Sequence, residues 1–344
     1  MGHYPLYGAS GFLKCIDFCE MDCDYISIVK DGSGVGNISF HEKNTSVVNT
    51  SQYILPKENL DIHFIYYLLQ TVNLDKYKTG STIPHIYFKD YSIEKVKIPQ
   101  LNEQKKIGLL LKNMDAKIEI LDNKIQAYED FKKYLMQQIF TQKLRFNKTS
   151  EWETYVLNDI GKTYNGLSGL SKVNFEKGDS KYITYKSIFD NNILKSDFTE
   201  NVELNNKSQN EVKKGDLFFT GSSETPEEVG MVSVLDQNVK DCYLNSFCFG
   251  FRLNNEININ PLFLAYYLRS PIMRNKIMIL AQGSTRFNLS KKEILKLKIE
   301  IPSINEQQRV INLFQCVDNK IHKISMQTNY FNEFKKGLLQ QMFV

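Results

Sequence analysis

Long apolar runs are missing from this chain. No uninterrupted stretch approaches the roughly 18–20 residues needed to cross a bilayer. The opening residues MGHYPLYGAS lack the basic-then-apolar order of a secretory signal. No membrane partner and a cytoplasmic location are therefore expected. The cysteines, 6 in all, include no CxxC pair. Cys15, Cys19 and Cys23 are evenly spaced, but only His41 and His63 lie near them, so reduced, part-buried thiols are expected rather than a metal site. Gly32-Ser33-Gly34-Val35-Gly36 lacks both the GxGxxG spacing and the Lys-Ser/Thr of a phosphate loop. GxSxG, HExxH and carboxylates set among histidines are absent, as is any Asn/Asp-Pro-Pro-Tyr methyltransferase tetrapeptide. Glu224, Glu227 and Glu228 share a loop, yet no basic or metal-binding residue accompanies them in sequence. The expectation is a protein without catalytic residues, metal or cofactor of its own. A net charge of +4 permits nucleic-acid binding without arguing for it.

What the chain does have is a long internal repeat. Ile98-Pro99, Asn102-Glu103-Gln104, Asp115, Lys117-Ile118, Phe131-Lys132-Lys133, Leu135, Gln137-Gln138 and Phe140 return 203 positions later (301 − 98), at Ile301-Pro302 through Phe343. With Leu110 and Leu313 this makes 16 identities in 44 gap-free pairs. Two copies at so long a period point to a duplicated domain-plus-spacer rather than a solenoid. Such a molecule has approximate two-fold symmetry, which suits a two-fold target such as duplex DNA.

Each repeat contains a long helix. From Asn102 to Leu144 there is no proline and one glycine, Gly108. Apolar residues recur at Ile107, Leu111, Met114, Ile118, Leu121, Ile125, Tyr128, Leu135 and Ile139, in alternating steps of four and three. That 3.5-residue average marks a coiled-coil seam. The second copy reads Val310, Phe314, Val317, Ile321, Ile324, Thr328, Phe331, Leu338 and Met342. Both seams break at the same place, Lys132 and Lys335, where Phe131 and Phe334 are expected to take over the packing. A helix of about 40 residues spans roughly 60 Å. A single apolar stripe needs a partner: the other copy, antiparallel, or else each helix's own domain. The Ile-Pro before each helix is expected to end a strand, with Asn102 and Asn305 as helix N-caps.

Between the helices the pattern is α+β. Tyr182–Tyr185, Asp216–Phe219, Met231–Leu235 and Phe247–Phe251 read as short strands, and Pro261–Arg269 as a helix capped by Asn260. A matching helix is expected near Ile62–Leu69. Gly80-Ser81-Thr82 and Gly283-Ser284-Thr285 also recur at the 203 offset, with Lys76 and Lys78 or Arg286 beside them. These are either structural turns or phosphate contacts. The front of the first domain has no counterpart to about 50 residues of the second, including Trp152, Leu157 and Ile160. Phe12, Ile26, Ile28 and Val29 are therefore expected to be poorly covered, and the first domain to be the less stable one.

The paired IPxxNEQ stretches, the DxKI…FKKxLxQQxF helices, the EWExxxLNDIG segment at Glu151–Gly161, and the runs at Tyr4–Gly11, Gly215–Phe219 and Gly221–Gly230 together resemble the specificity subunit of type I restriction-modification systems. The resemblance implies two α/β target recognition domains separated by two long helices pairing as an antiparallel coiled coil. By position these are residues 1–97, 98–148, 149–300 and 301–344, the first domain being short at its front. It further implies double-stranded DNA as ligand, methyltransferase subunits that hold S-adenosylmethionine, and ATP-dependent restriction (translocase) subunits as partners. Carried over by position, the candidate DNA contacts are Lys78, Ser81, Thr82, Lys186, Thr220, Ser222, Ser223, Thr225, Ser284, Thr285 and Arg286. The competing expectation is a coiled-coil interaction adaptor that never reads DNA.

Overall fold

The computed structural model describes residues 2–147, 150–204 and 208–343, so the expected domain boundary at 148/149 lies outside the described residues. The contacts group into two compact units, Met1–Ile125 with Lys323–Val344, and Gln126–His322. Each long helix thus contributes to both, the first running Leu101–Phe140 and the second Ile304–Met342.

Unit 1 carries two three-stranded sheets. One orders Gly11–Ile16, Tyr4–Gly8 and Ser46–Val47; the other orders Ile38–His41, Tyr25–Val29 and Ser51–Ile54. The central strand YISIV is buried along its whole length. Ile28 joins Val35, Leu74, Ile86 and Tyr91 in a small core. The expected exposure of Ile26, Ile28 and Val29 is thus wrong: all three are buried in the central strand of their sheet, Ile28 under Leu74, Ile86 and Tyr91 from segments that follow in the chain. Phe12 alone of that group is exposed, on the outer strand of its sheet. The helix Ile62–Thr71 starts at Asp61, whose side chain accepts from Phe64 N. It packs Tyr67 against Leu111, Met114 and, from the second long helix, Phe331 and Leu338.

Unit 2 is built on a five-stranded sheet ordered Ile193–Leu194, Val232–Leu235, Leu217–Thr220, Cys248–Leu253, Gly161–Asn165. The expected strands around 216–219, 231–235 and 247–251 all fall in it, within a residue or two, while 182–185 begins as the end of a separate strand, Phe175–Ile183. The helix Pro261–Leu268 begins at Asn260, which accepts from Leu262 N, as expected. Phe263 to Leu268 are buried all round, because the sheet lies on one side and the long helices on the other. Phe140 ties that core together, its ring 5.0 Å from Tyr267, 5.7 Å from Phe263 and 5.8 Å from Phe314. Each such ring taken from water stabilises by about 1.5–3 kcal/mol.

The two long helices pair antiparallel in both units. In unit 2 Phe140 meets Phe314 while Lys132 meets Asp318; in unit 1 Asp115 meets Lys335. The lysines that break the seam pattern are therefore seam residues after all. Lys132 Nζ lies 2.5 Å from Asp318 Oδ1 and 5.5 Å from the Tyr266 ring centre, and the Tyr266 hydroxyl donates to Asp318 Oδ2 at 2.7 Å. Lys335 repeats this with Asp115 at 2.6 Å and the Tyr67 ring at 5.1 Å, the Tyr67 hydroxyl donating at 2.7 Å. Burial, then the neighbouring carboxylate, pushes both phenols well up. Phe131 and Phe334 do not replace the lysines: both are about half exposed. A lysine whose ammonium meets a carboxylate and lies over an aromatic ring can occupy a seam that an unpaired ammonium could not.

The expected N-caps at Asn102 and Asn305 are also displaced. Both lie inside the first turn, since Gln104 N and Gln307 N donate to the carbonyls of Gln100 and Ser303. The glutamine of each NEQ is the working residue. Buried Gln307 accepts from Asn260 N at 2.8 Å and donates to the carbonyls of Asn258 and Pro302. Buried Gln104 does the same with Asp61 N, Asn59 O and Pro99 O. One side chain thus fastens the start of each long helix to the start of the helix that packs on it.

Candidate nucleic-acid interface

The repeated Gly-Ser-Thr forms an exposed turn in both units. In unit 1, Thr79 and His85 exchange backbone hydrogen bonds of 2.9 and 2.8 Å across it. In unit 2 it caps the pairing of Ala281–Gln282 with Phe287–Leu289. Gly80 (φ +88°) and Gly283 (φ +137°) have left-handed backbone, and a Cβ would fall 2.6 Å from Ile83 O and 2.0 Å from Arg286 O. The recurrence of glycine therefore has a structural cause, and the exposed Ser81, Thr82, Ser284 and Thr285 hydroxyls are what that turn presents. Lys78 is exposed but already paired with Asp75 at 2.6 Å.

Unit 2 brings separate stretches of the sequence together here. Ser222 pairs with Asn288 and Ser223 with Phe287, which sets the 283–286 turn beside the 221–230 loop. The Tyr185 hydroxyl donates to Ser222 O at 2.8 Å and so brings up the helix Tyr185–Asp190. Between them is a cleft of about 360 Å³ walled by Tyr185, Phe189, Ser222, Glu228, Phe247 and Arg286, among others. Thr225 and Lys186 are exposed on the elements that form it, outside its wall.

Two candidates change role. Thr220 is fully buried, and its hydroxyl accepts from Met231 N at 2.8 Å. Ser223 is buried too, donating to Glu228 Oε2 at 2.8 Å. Thr220 holds the loop in shape rather than facing outward, because the strand Leu217–Thr220 lies at the centre of the sheet, whereas Ser223 sits in the cleft wall on a separate strand and positions Glu228. Arg274 completes the scaffold, donating to the carbonyls of Glu227, Val229 and Gly230 at 2.6–2.8 Å. Deep burial lowers its guanidinium pKa. Arg269 does the same for the chain around 188–191, and burial, then Arg274, lowers it to about 10.

Residues the sequence reading missed line this face as well. Phe247 is exposed, and the Arg286 guanidinium lies 5.5 Å from its ring centre. In an adjoining cleft, also about 360 Å³, Lys291 lies over the Phe249 ring at 5.8 Å and reaches Asn165 Oδ1; burial lowers its ammonium pKa. An aromatic directly after an Asn-Ser turn was the one available signal for Phe247; Lys291 gave none. In unit 1 a larger cleft of about 710 Å³ is walled by Tyr4, Tyr7, Phe40, His41 and Lys43, among others, and takes in part of the Tyr4–Gly11 run.

Basic and aromatic side chains fixed on loops around clefts suit contacts to bases and phosphates. Among the described residues, no group of three or more metal-ligating side chains is assembled.

The chain is 23% identical over 333 residues to the type I restriction enzyme MjaVIII specificity subunit of Methanocaldococcus jannaschii, covering 91% of this chain and 77% of that one. To the putative MjaX specificity subunit of the same organism it is 22% identical over 300 residues, covering 82% and 67%. Its fold matches the crystal structure of a type I restriction-modification S subunit from M. genitalium with a TM-score of 0.64 at 17% identity, over 100% of this chain and 89% of that one. A structure described as the basis of complex assembly and conformational transition of the type I R-M system matches with a TM-score of 0.58 at 14% identity, over 98% and 90%. The family model for the type I restriction modification DNA specificity domain matches residues 1–129 and again 149–329, and with that the chain belongs to this family.

Proposed function

We propose that this chain is the DNA-reading subunit of a type I restriction-modification complex, with each unit reading one half of a bipartite duplex site. The observation that carries this is the duplication: the same helix clamp, the same Lys-Asp-Tyr cluster and the same exposed Gly-Ser-Thr turn occur once per unit. In this reading the paired helices are the platform for two methyltransferase subunits, which bring S-adenosylmethionine, and the restriction subunits join for cleavage. The chain itself contributes recognition and no chemistry. Lys78, Lys186 and Thr225, with the Ser81-Thr82 and Ser284-Thr285 turns, are proposed to contact the backbone, being exposed polar or basic groups on loops.

The test is a methylation map of a host expressing the chain with its methyltransferase subunits, repeated after replacing residues 1–97 or 149–300 by those of a relative. Each replacement is expected to rewrite one half-site and leave the other. An adaptor that does not read DNA predicts no sequence change in either experiment. It also predicts no steep fall of duplex binding with salt, which phosphate contacts impose.

A further inference from the structure

The cleft beside Phe247 combines an arginine with carboxylates. Arg286 is exposed and rests against an exposed aromatic ring, 5.5 Å from its centre. Phe247 is itself fixed: its N–H donates to Asn245 Oδ1 at 2.9 Å, and Gly221 N donates to its carbonyl at 2.8 Å. A cation–π contact of this kind restrains the guanidinium beside the ring, and among the described residues its N–H groups make no hydrogen bond to protein side chains that would compete with a paired acceptor. Glu228 also lines the cleft, steered by the buried Ser223 hydroxyl, while Arg274 anchors the carbonyls on either side of it. Glu224 adds a second carboxylate.

That mixture separates two kinds of DNA contact. A phosphate site gathers positive charge, and carboxylates in the same cleft oppose it. A base-reading site needs one rigid donor fork and one rigid acceptor, because guanine offers O6 and N7 while cytosine offers its N4 amino group. The local scaffold provides the rigidity: Tyr185 holds the Ser222 carbonyl, buried Ser223 holds Glu228, and Ser222–Ser223 pair with Phe287–Asn288 beside Arg286.

We propose that this cleft reads a G·C base pair in the half-site of unit 2. Arg286 donates to O6 and N7 of the guanine, and Glu228 accepts from a cytosine N4 amino group. The inference rests on the DNA-reading function proposed above and goes further by assigning a base pair to named side chains.

The experiment uses the full chain assembled with its methyltransferase subunits and a library of duplexes randomised one position at a time across the methylated site. For Arg286→Ala, the preference for guanine at one position of the unit 2 half-site should fall on the order of ten- to a hundred-fold. Preferences at all other positions should persist, which also shows that the variant folds. Glu228→Gln should relax the cytosine preference at the same or the adjoining pair. Uniform weakening across all sequences, with a shallower salt dependence, would make Arg286 a phosphate contact and overturn the assignment. An unchanged profile would overturn it as well. If the unsubstituted complex shows no sequence preference at all, it is the DNA-reading function that fails, and the inference falls with it.

Discussion

Val96 and Ile98 in unit 1 occupy the same repeat positions as Ile299 and Ile301 in unit 2, yet they are 41% and 45% exposed against 0% and 3%. In unit 2 these residues form the strand Lys298–Ile301, antiparallel to Glu153–Val156, with Ile299 opposite Tyr155 and Ile301 opposite Glu153. In unit 1 the matching VKIP stretch is not a strand. The local sequences are almost the same, V-x-I-P and I-x-I-P, so local propensity cannot be the cause. The difference is the partner. Among the described residues no strand pairs with 96–98, and a two-residue apolar pattern with no paired strand stays open.

The largest effect that would test this contrast is in unit 2. Ile299→Ala should cost about 2–5 kcal/mol by leaving a cavity in a filled core, while Val96→Ala should cost under about 0.5 kcal/mol. Denaturant unfolding of the two variants measures both; equal losses would mean that the Val96 side is covered after all. In the parent protein, hydrogen exchange should protect 151–300 better than 2–97.

Unit 1 should also be the acid-sensitive part. His41 is buried between Tyr7 and Tyr25 and meets the Ser27 hydroxyl at 2.9 Å; burial lowers its pKa to about 4. Since the unfolded imidazole titrates near 6.5, the unfolded chain takes up a proton first. The stability from the neutral ring is complete above pH 6.5 and is lost as pH falls towards 4, about 3 kcal/mol in all. His63, lowered by burial and by Lys112, acts in the same direction. His41→Gln should flatten the pH profile of unit 1 exchange between 6.5 and 4 and leave that of unit 2 alone.

Where the units share a device, the contrast should vanish. Gln307→Ala and Gln104→Ala each orphan a part-buried N–H and two carbonyls, and each should cost about 1–3 kcal/mol. Of these paired devices the smaller effect belongs to Lys132→Met and Lys335→Met, about 1–2 kcal/mol each, because the aspartate left behind is part-exposed and keeps its tyrosine. A loss confined to one member of either pair would show that the repeated geometry is not repeated in energy.

The helices, their seam and their pairing were legible because a 3.5-residue period is a local signal, and a second copy confirms it. What the seam lysines do was not legible: Asp318 and Tyr266 lie far from Lys132 in sequence, and without them the pattern reads as a flaw. The NEQ motif was visible as a repeat, but its glutamine works on residues 43 to 49 positions away, so the asparagine was credited with the cap. At the interface, Ser222 and Arg286 were found separately, while their meeting depends on the Ser222–Asn288 pairing. Thr220 looked available because a polar residue at a strand end usually is. Only its place in the middle of the sheet removes it from the surface.

The helix pairing has one more consequence, a matter of coding. Each long helix carries an aspartate and, 17 positions later, a lysine: Asp115 and Lys132, then Asp318 and Lys335. Laid antiparallel, aspartate of one copy meets lysine of the other at both places. The message is palindromic, so a helix with this spacing is its own complement and needs no second, different sequence to recognise. One ancestral segment, doubled, is sufficient to specify both helices of the pair, and an insertion between aspartate and lysine in one copy alone would put them out of phase with the other.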